Sequence, residues 1–222
     1  MRSAWDYAER WREFLRWAES VPRIENPLPV LRFGVDKERY LTALAGVPTV
    51  PTEFVQPGES FSAPGEAFVV KPAISAGGRR SARFEGGDPA AGELVGEITG
   101  AGDTAMVQPL LHGDERSLVF LDGRYSHALS RSAALPRGRA EEVLYLEEQL
   151  APHEATPLER RVAEAAIAVL PTPPLYARVD LLGGAVLELE VVEPSLYLSY
   201  GESAAARFAA AVRRRLEATL RV

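Results

Sequence analysis

The chain has 222 residues, 46% of them apolar, a net charge of −6 and no cysteine. This is a globular composition, long enough for one large domain or two small interlocked ones, and it excludes disulfides, thiolate metal sites and thiol nucleophiles. With no long basic block, no apolar run of membrane-spanning length and no signal peptide, the expectation is a cytoplasmic protein with neither a nucleic-acid nor a membrane partner.

In chain order, Tyr7, Trp11, Phe14, Leu15 and Ala18 recur at helical spacing and predict an amphipathic helix. Asn26-Pro27-Leu28-Pro29 follows, then a short predicted strand from Val30 to Phe33. Asp36 to Ala45 reads as a helix stopped by Gly46 and Pro48, and Thr49 to Val55 as a strand. Ala67 to Lys71 is a short buried strand, followed by the small-residue loop Ser75-Ala76-Gly77-Gly78 and a strand near Ser81 to Phe84. Asp88-Pro89 has the form of an N-cap with proline at the first helical position, opening a helix to about Ile98. Thr104 to Gln108 reads as a strand, and Arg116 to Leu121 and Arg124 to Arg131 as a hairpin across Asp122-Gly123. Val143 to Glu147 is a further candidate strand. Thr156-Pro157-Leu158-Glu159 is a capping box for a helix ending near Leu170. Leu175 to Leu182 and Ala185 to Val192 form a second hairpin across Gly183-Gly184, and Glu202 to Leu220 a closing helix. The run Arg213-Arg214-Arg215 reads as its solvated face. The mixture predicts an α+β fold, with antiparallel sheets in two lobes and a site between them.

Several residues could carry chemistry. Glu188 and Glu190 lie two apart on one strand face, and the hairpin sets Asp180 across from them. Three acids on one face of an apolar hairpin repel, and a divalent cation with oxygen ligands such as Mg²⁺ would relieve that; an exposed acidic face is the alternative. Lys71 ends a strand before a flexible loop that could cover phosphates, or is simply solvated. Neither a Walker A motif nor a dinucleotide fingerprint is present. Met106 to Leu111 runs into Pro109, which is expected to interrupt ladder pairing and leave backbone groups for an adenine edge, or to be a plain strand exit. Asp114 and Glu115 could accept from ribose hydroxyls or pair with Arg116. His112, His127 and His153 show no metal-like spacing; His127 reads as strand packing or as support behind a site.

The order of these pieces is informative. Lys37, Val69-Val70-Lys71-Pro72, Ser75-Ala76-Gly77-Gly78, Met106-Val107-Gln108-Pro109, Gly113-Asp114-Glu115-Arg116, Arg131, Arg178-Val179-Asp180, Glu188-Leu189-Glu190 and Pro194-Ser195 follow one another along the chain. The set resembles the ATP-grasp superfamily in its glutathione-synthetase-like branch, over nearly the whole chain. Arg2 to Tyr7, Asn26 to Lys37 and Leu187 to Leu198 look closest to the cycloserine-biosynthesis-type members. The resemblance implies ATP and Mg²⁺ as cofactors. It matches Lys37 and Lys71 to phosphate-binding lysines, Ser75, Gly77 and Gly78 to the mobile loop over the phosphates, and Gln108, Pro109 and Leu110 to the adenine hinge. Asp114 or Glu115 would lie near the ribose, and Arg131 would face the transferred phosphate and the acyl intermediate. Asp180, Glu188 and Glu190 match the metal ligands, with glutamate at the third place where many relatives carry asparagine. The implied activity is ligation of a small-molecule carboxylate to an amine or similar nucleophile through an acyl phosphate; the alternative is an ATP-binding module without catalysis of its own that works through a partner. The implied layout is a remnant of an N-terminal domain and linker at residues 1–35, a small lobe at 36–108 and a large lobe at 109–222. Trp5 and Trp11 would then mark a homodimer or partner face.

Overall fold

The computed structural model describes residues 5–132 and 149–219. The candidate strand at Val143 to Glu147 lies outside them. A 3₁₀ segment, Trp5–Arg10, leads into α1, Trp11–Ser20. After it come α2 (Leu28–Gly34) and α3 (Lys37–Ala43). The first sheet is built from β1 (Glu53–Val55), β2 (Phe68–Pro72), β3 (Ala82–Phe84) and β4 (Ala105–Pro109), with α4 (Ala90–Gly100) between the last two. The second is built from β5 (Glu115–Leu121), β6 (Arg124–Ser132), β7 (Gln149–His153), β8 (Tyr176–Leu182) and β9 (Ala185–Glu190). Here α5 (Pro157–Ala168) precedes β8, and α6 (Ala204–Thr219) closes the described chain. All named ladders are antiparallel, in the orders β1-β4-β2-β3 and β7-β6-β5-β8-β9. The fold is α+β, as the sequence implies.

Local signals explain many of the boundaries. Asp36 caps α3, its carboxylate accepting from Glu38 N–H, and Thr156 and Glu159 form the expected capping box on α5. Asp122 and Gly123 both take positive φ, as do Gly183 and Gly184, which suits tight hairpin turns. Residues 30–33 differ from the expectation: they are helical, with Val30, Leu31 and Phe33 buried. Pro27 and Pro29 do not break this helix because they stand at its first positions, where the missing N–H would have no intrahelical partner. Pro109 also departs from expectation, remaining in β4 opposite Phe68. Leu110 N–H bonds to Ala67 O at 2.8 Å, which makes Pro109–Phe68 a non-hydrogen-bonded pair. The absent N–H therefore points to the other side, beyond the pairing of β1 at Glu53–Val107. The basic run is not simply solvated: Arg215 donates to Asp122 Oδ1 at 2.9 Å and Arg214 to Oδ2 at 3.0 Å, fastening α6 to the β5–β6 turn.

The first sheet buries one face, and the second buries one face and part of the other. Phe68, Val70, Ala82, Phe84, Ala105 and Val107 of the first sheet pack on Ala91, Leu94, Val95 and Ile98 of α4. On the second sheet, Leu118, Phe120, Ala177 and Val179 pack with α5, α2 and α3. The opposite face carries Val119, Leu121 and Leu129 against Phe208 of α6 and Leu196 and Tyr197 of the segment before it. The remainder of that face is polar and looks across a cleft to Val69, Lys71 and Gln108 of the first sheet.

Asn26 ties these parts together. Fully buried, it donates to Tyr176 O and Val191 O, both at 2.8 Å, and accepts from Leu175 N–H at 2.6 Å. One side chain thus satisfies buried backbone groups at the start of β8 and just beyond β9. Asn26→Ala leaves those groups unpaired and is expected to cost about 2–4 kcal/mol, read from the urea midpoint.

Candidate active site

The cleft between the sheets has a volume of about 1690 Å³. Its floor is the polar part of the second sheet. Alternation puts Glu115 and Ser117 of β5 and Arg178 and Asp180 of β8 on one face, and register aligns Ser117 with Asp180 and Glu115 with Arg131 of β6. Asp180 pairs with Glu188, and Arg178 with Glu190. A β-bulge follows: Leu181 pairs with Val186, leaving Leu187 as the extra residue. The bulge lets Val186 and Leu189, three apart, both enter the core while Leu187, Glu188 and Glu190 line the cleft.

The acid trio is therefore not an exposed face. Asp180 is 1% exposed, and oxygens of Asp180, Glu188 and Glu190 lie within 4.8 Å of one another. The trio is held by donors. Ser117 Oγ donates to Asp180 Oδ1 at 2.5 Å, and Arg178 donates to Asp180 at 2.9 Å and to Glu190 at 2.7 Å. Lys37 Nζ lies 3.1 Å from Glu188 and donates to Ser75 O at 2.8 Å. Arg131 lies 2.7 Å from Glu115 and 3.5 Å from Asp180. Burial acts against the charge on Glu188, but Lys37 and Lys71 outweigh it and hold its carboxyl at about 2. Glu190 goes the other way: burial and repulsion from Glu188 and Asp180 exceed the pull of Arg178, lifting it to about 8. Burial also lowers Lys71, with Lys37 adding to that and Glu188 opposing it. This is a donor set suited to a hard divalent cation: closely spaced carboxylate oxygens whose mutual repulsion a metal would relieve.

The residues expected to meet phosphate surround this floor. Lys37 opens α3 and Lys71 lies on β2, both lining the cleft with Ser75, Gly77 and Gly78. Gly77 and Gly78 have φ of 62° and 71°, a conformation that favours glycine. Gln108, Pro109, Leu110 and Glu115 also line the cleft. Gln108 is already engaged, donating to Thr52 Oγ1 at 2.9 Å. Asp114 stands apart: its side chain is 81% exposed and pairs with Arg116 at 2.7 Å.

Sequence reasoning missed several wall residues. Arg178 was within reach of it, two residues before Asp180 on the same strand face. Ser117 was not, because β5 and β8 are distant in sequence. Tyr7 and Trp11 also line the cleft; Trp11 is half-buried with the Arg12 guanidinium 4.3 Å from its ring. Trp17 is the exposed tryptophan of α1.

Comparison with known proteins decides the family. No protein-family model matches the chain. The cycloserine biosynthesis protein DcsG of Streptomyces lavendulae is 37% identical over 249 aligned positions, covering 97% of this chain and 82% of that protein. The chain belongs to the ATP-grasp superfamily. It lies near the cycloserine biosynthesis proteins and is an ATP-grasp ligase. The crystal structure of the D-cycloserine synthetase DcsG superposes with a TM-score of 0.82 at 33% identity, covering 97% of this chain and 82% of that one. D-alanine–D-alanine ligase from Bacillus anthracis, complexed with ATP, shares the fold at a TM-score of 0.69 and 16% identity, covering 100% of this chain and 77% of that one. Among the described residues, no helix is long and apolar enough to cross a membrane.

Glu188→Gln removes the acid that faces both lysines. Calorimetry with Mg²⁺ on ATP-saturated protein is expected to show affinity falling about a hundredfold or more, with the fold retained by circular dichroism.

Proposed function

We propose that this ATP-grasp protein joins a small-molecule carboxylate to an amine or similar nucleophile through an acyl phosphate, using Mg²⁺ and ATP. The observation that carries this reading is the single cleft in which Asp180, Glu188 and Glu190 lie beside Lys37, Lys71 and Arg131. A carboxylate oxygen attacks the γ-phosphorus as the β–γ bridge breaks and ADP departs. The amine then attacks the acyl carbon, phosphate leaves, and the amine gives up a proton.

No step needs a nucleophile from the protein, so catalysis rests on positioning and charge. Lys37 and Lys71 are assigned to the phosphate oxygens, with Ser75, Gly77 and Gly78 covering them. Arg131 is assigned to the transferred group. Asp180, Glu188 and Glu190 would hold Mg²⁺, which neutralises phosphate charge when bound. Gln108, Pro109 and Leu110 form the hinge, but Leu110 N–H is committed to Ala67 O, so the adenine edge is assigned to Leu111 and His112 just beyond, which also line the cleft. Between the two ribose candidates, Glu115 is favoured because it lies in the cleft and Asp114 does not. The proposed compartment is the cytoplasm, where ATP is abundant. Any homodimer or partner would use the exposed side of α1 around Trp17 rather than Trp11.

ADP release, measured over paired carboxylates and amines, tests the proposal. The panel begins with D-alanine as both carboxylate and amine, which the name of a structural neighbour supplies. At least one pair should release ADP in step with a coupled product, and Arg131→Met should lower that rate by about a hundredfold or more. Mg-ATP binding without ADP release on any pair would instead favour the non-catalytic module.

A further inference from the structure

His127 is a buried polar residue with no part in the chemistry above. It lies on β6, 6% exposed. Its Nε2 is 3.0 Å from Leu196 O and its Nδ1 is 3.0 Å from Ser126 Oγ. A carbonyl only accepts, so Nε2 carries the hydrogen; burial favours the neutral ring, in which Nδ1 is then the acceptor. Ser126 then donates its hydroxyl hydrogen to Nδ1. Its oxygen can do so because it accepts from Arg207 Nε at 3.1 Å, while Arg207 also donates to Ser126 O at 3.1 Å. The directed chain runs from α6 through β6 to Leu196. The close approach of Gly201 completes the seat: a Cβ there would come within 2.5 Å of His127 Cγ.

Leu196 belongs to the segment between Glu190 and α6, which walls the cleft with Ser195 and Tyr197. Arg178 donates to Ser195 O at 3.3 Å, and its guanidinium lies 5.6 Å from the Tyr197 ring centroid. Arg178 in turn holds Asp180 and Glu190. We propose that His127 is a positioning residue: through the Leu196 carbonyl it fixes the 194–200 wall, and through that wall the guanidinium that orients Asp180 and Glu190. Its consequence for catalysis rests on the ligase reading of the cleft; its consequence for the wall does not.

Amide hydrogen exchange on the full chain without ligand, comparing wild type, His127→Ala, His127→Gln and His127→Asn, tests this. Loss of the bond should speed exchange in residues 194–200 by about tenfold in His127→Ala, with β5 and β8 unchanged. Glutamine, whose amide N–H can reach Leu196 O, should restore most of the protection, and the shorter asparagine should not. With a productive pair from the ADP screen, the alanine variant should lose kcat and keep its KM for ATP. Unchanged exchange at 194–200, an equal rise across β5 and β8, or no rescue by glutamine overturns the proposal. If alanine does not fold, the glutamine and asparagine pair decides by the same criterion. A wild type that binds no Mg-ATP would sink the ligase reading while leaving the exchange result to judge His127.

Discussion

Charge balance on a partly buried sheet face is the constraint on which this structure depends. Two like charges about 4 Å apart repel by about 4 kcal/mol at an effective dielectric of 20, and here Asp180, Glu188 and Glu190 converge within 4.8 Å. The fold tolerates them because Arg178, Arg131, Lys37 and Lys71 are brought to the same face, and because Ser117 satisfies the most buried carboxylate. The balance is uneven. Glu188 takes most of the lysine charge and stays ionised, whereas Glu190 has Arg178 and is pushed upward by its acidic neighbours. A cleft of this kind favours ligands that redistribute charge, such as a polyphosphate with a divalent cation.

The architecture supplies this face by three devices. Antiparallel pairing of β5 with β8 sets Ser117 beside Asp180, although they are 63 positions apart. The bulge at Leu187 keeps β9 apolar on its core side and acidic on its cleft side. Asn26 secures the chain just before β8 and just beyond β9, so the strands bearing the acids are held from outside the site. Substitutions at Asn26 and at Glu188 should therefore separate in effect, one acting on stability and the other on ligand binding.

Much of this was legible because the signals are local. Asp122-Gly123 and Gly183-Gly184 demand positive φ and so announce their hairpins, and the Thr156–Glu159 box announces α5. The spacing of Glu188 and Glu190 is enough to place both on one face. What was misread or missed is equally physical. Val30 to Phe33 is a short, mostly apolar run that suits strand or helix, and the prolines before it serve as helix starters. β7 went unread because Pro152 and flanking polar residues hide a strand that pairs with β6. The enclosure of Asp180 by Ser117, the shared grip of Arg178 on two acids and the place of Trp11 in the cleft come from tertiary pairing, which no local pattern encodes.

The most direct test of the account is electron paramagnetic resonance of Mn²⁺ bound with ATP carrying ¹⁷O on its γ-phosphate. If Asp180, Glu188 and Glu190 hold the metal against the nucleotide, the wild type should deplete free Mn²⁺ beyond what ATP alone does, and the bound signal should broaden with ¹⁷O. Replacing Glu188 and Glu190 together by glutamine should abolish both effects. Undiminished binding and broadening in that variant, or no binding beyond ATP alone in the wild type, would contradict the central claim.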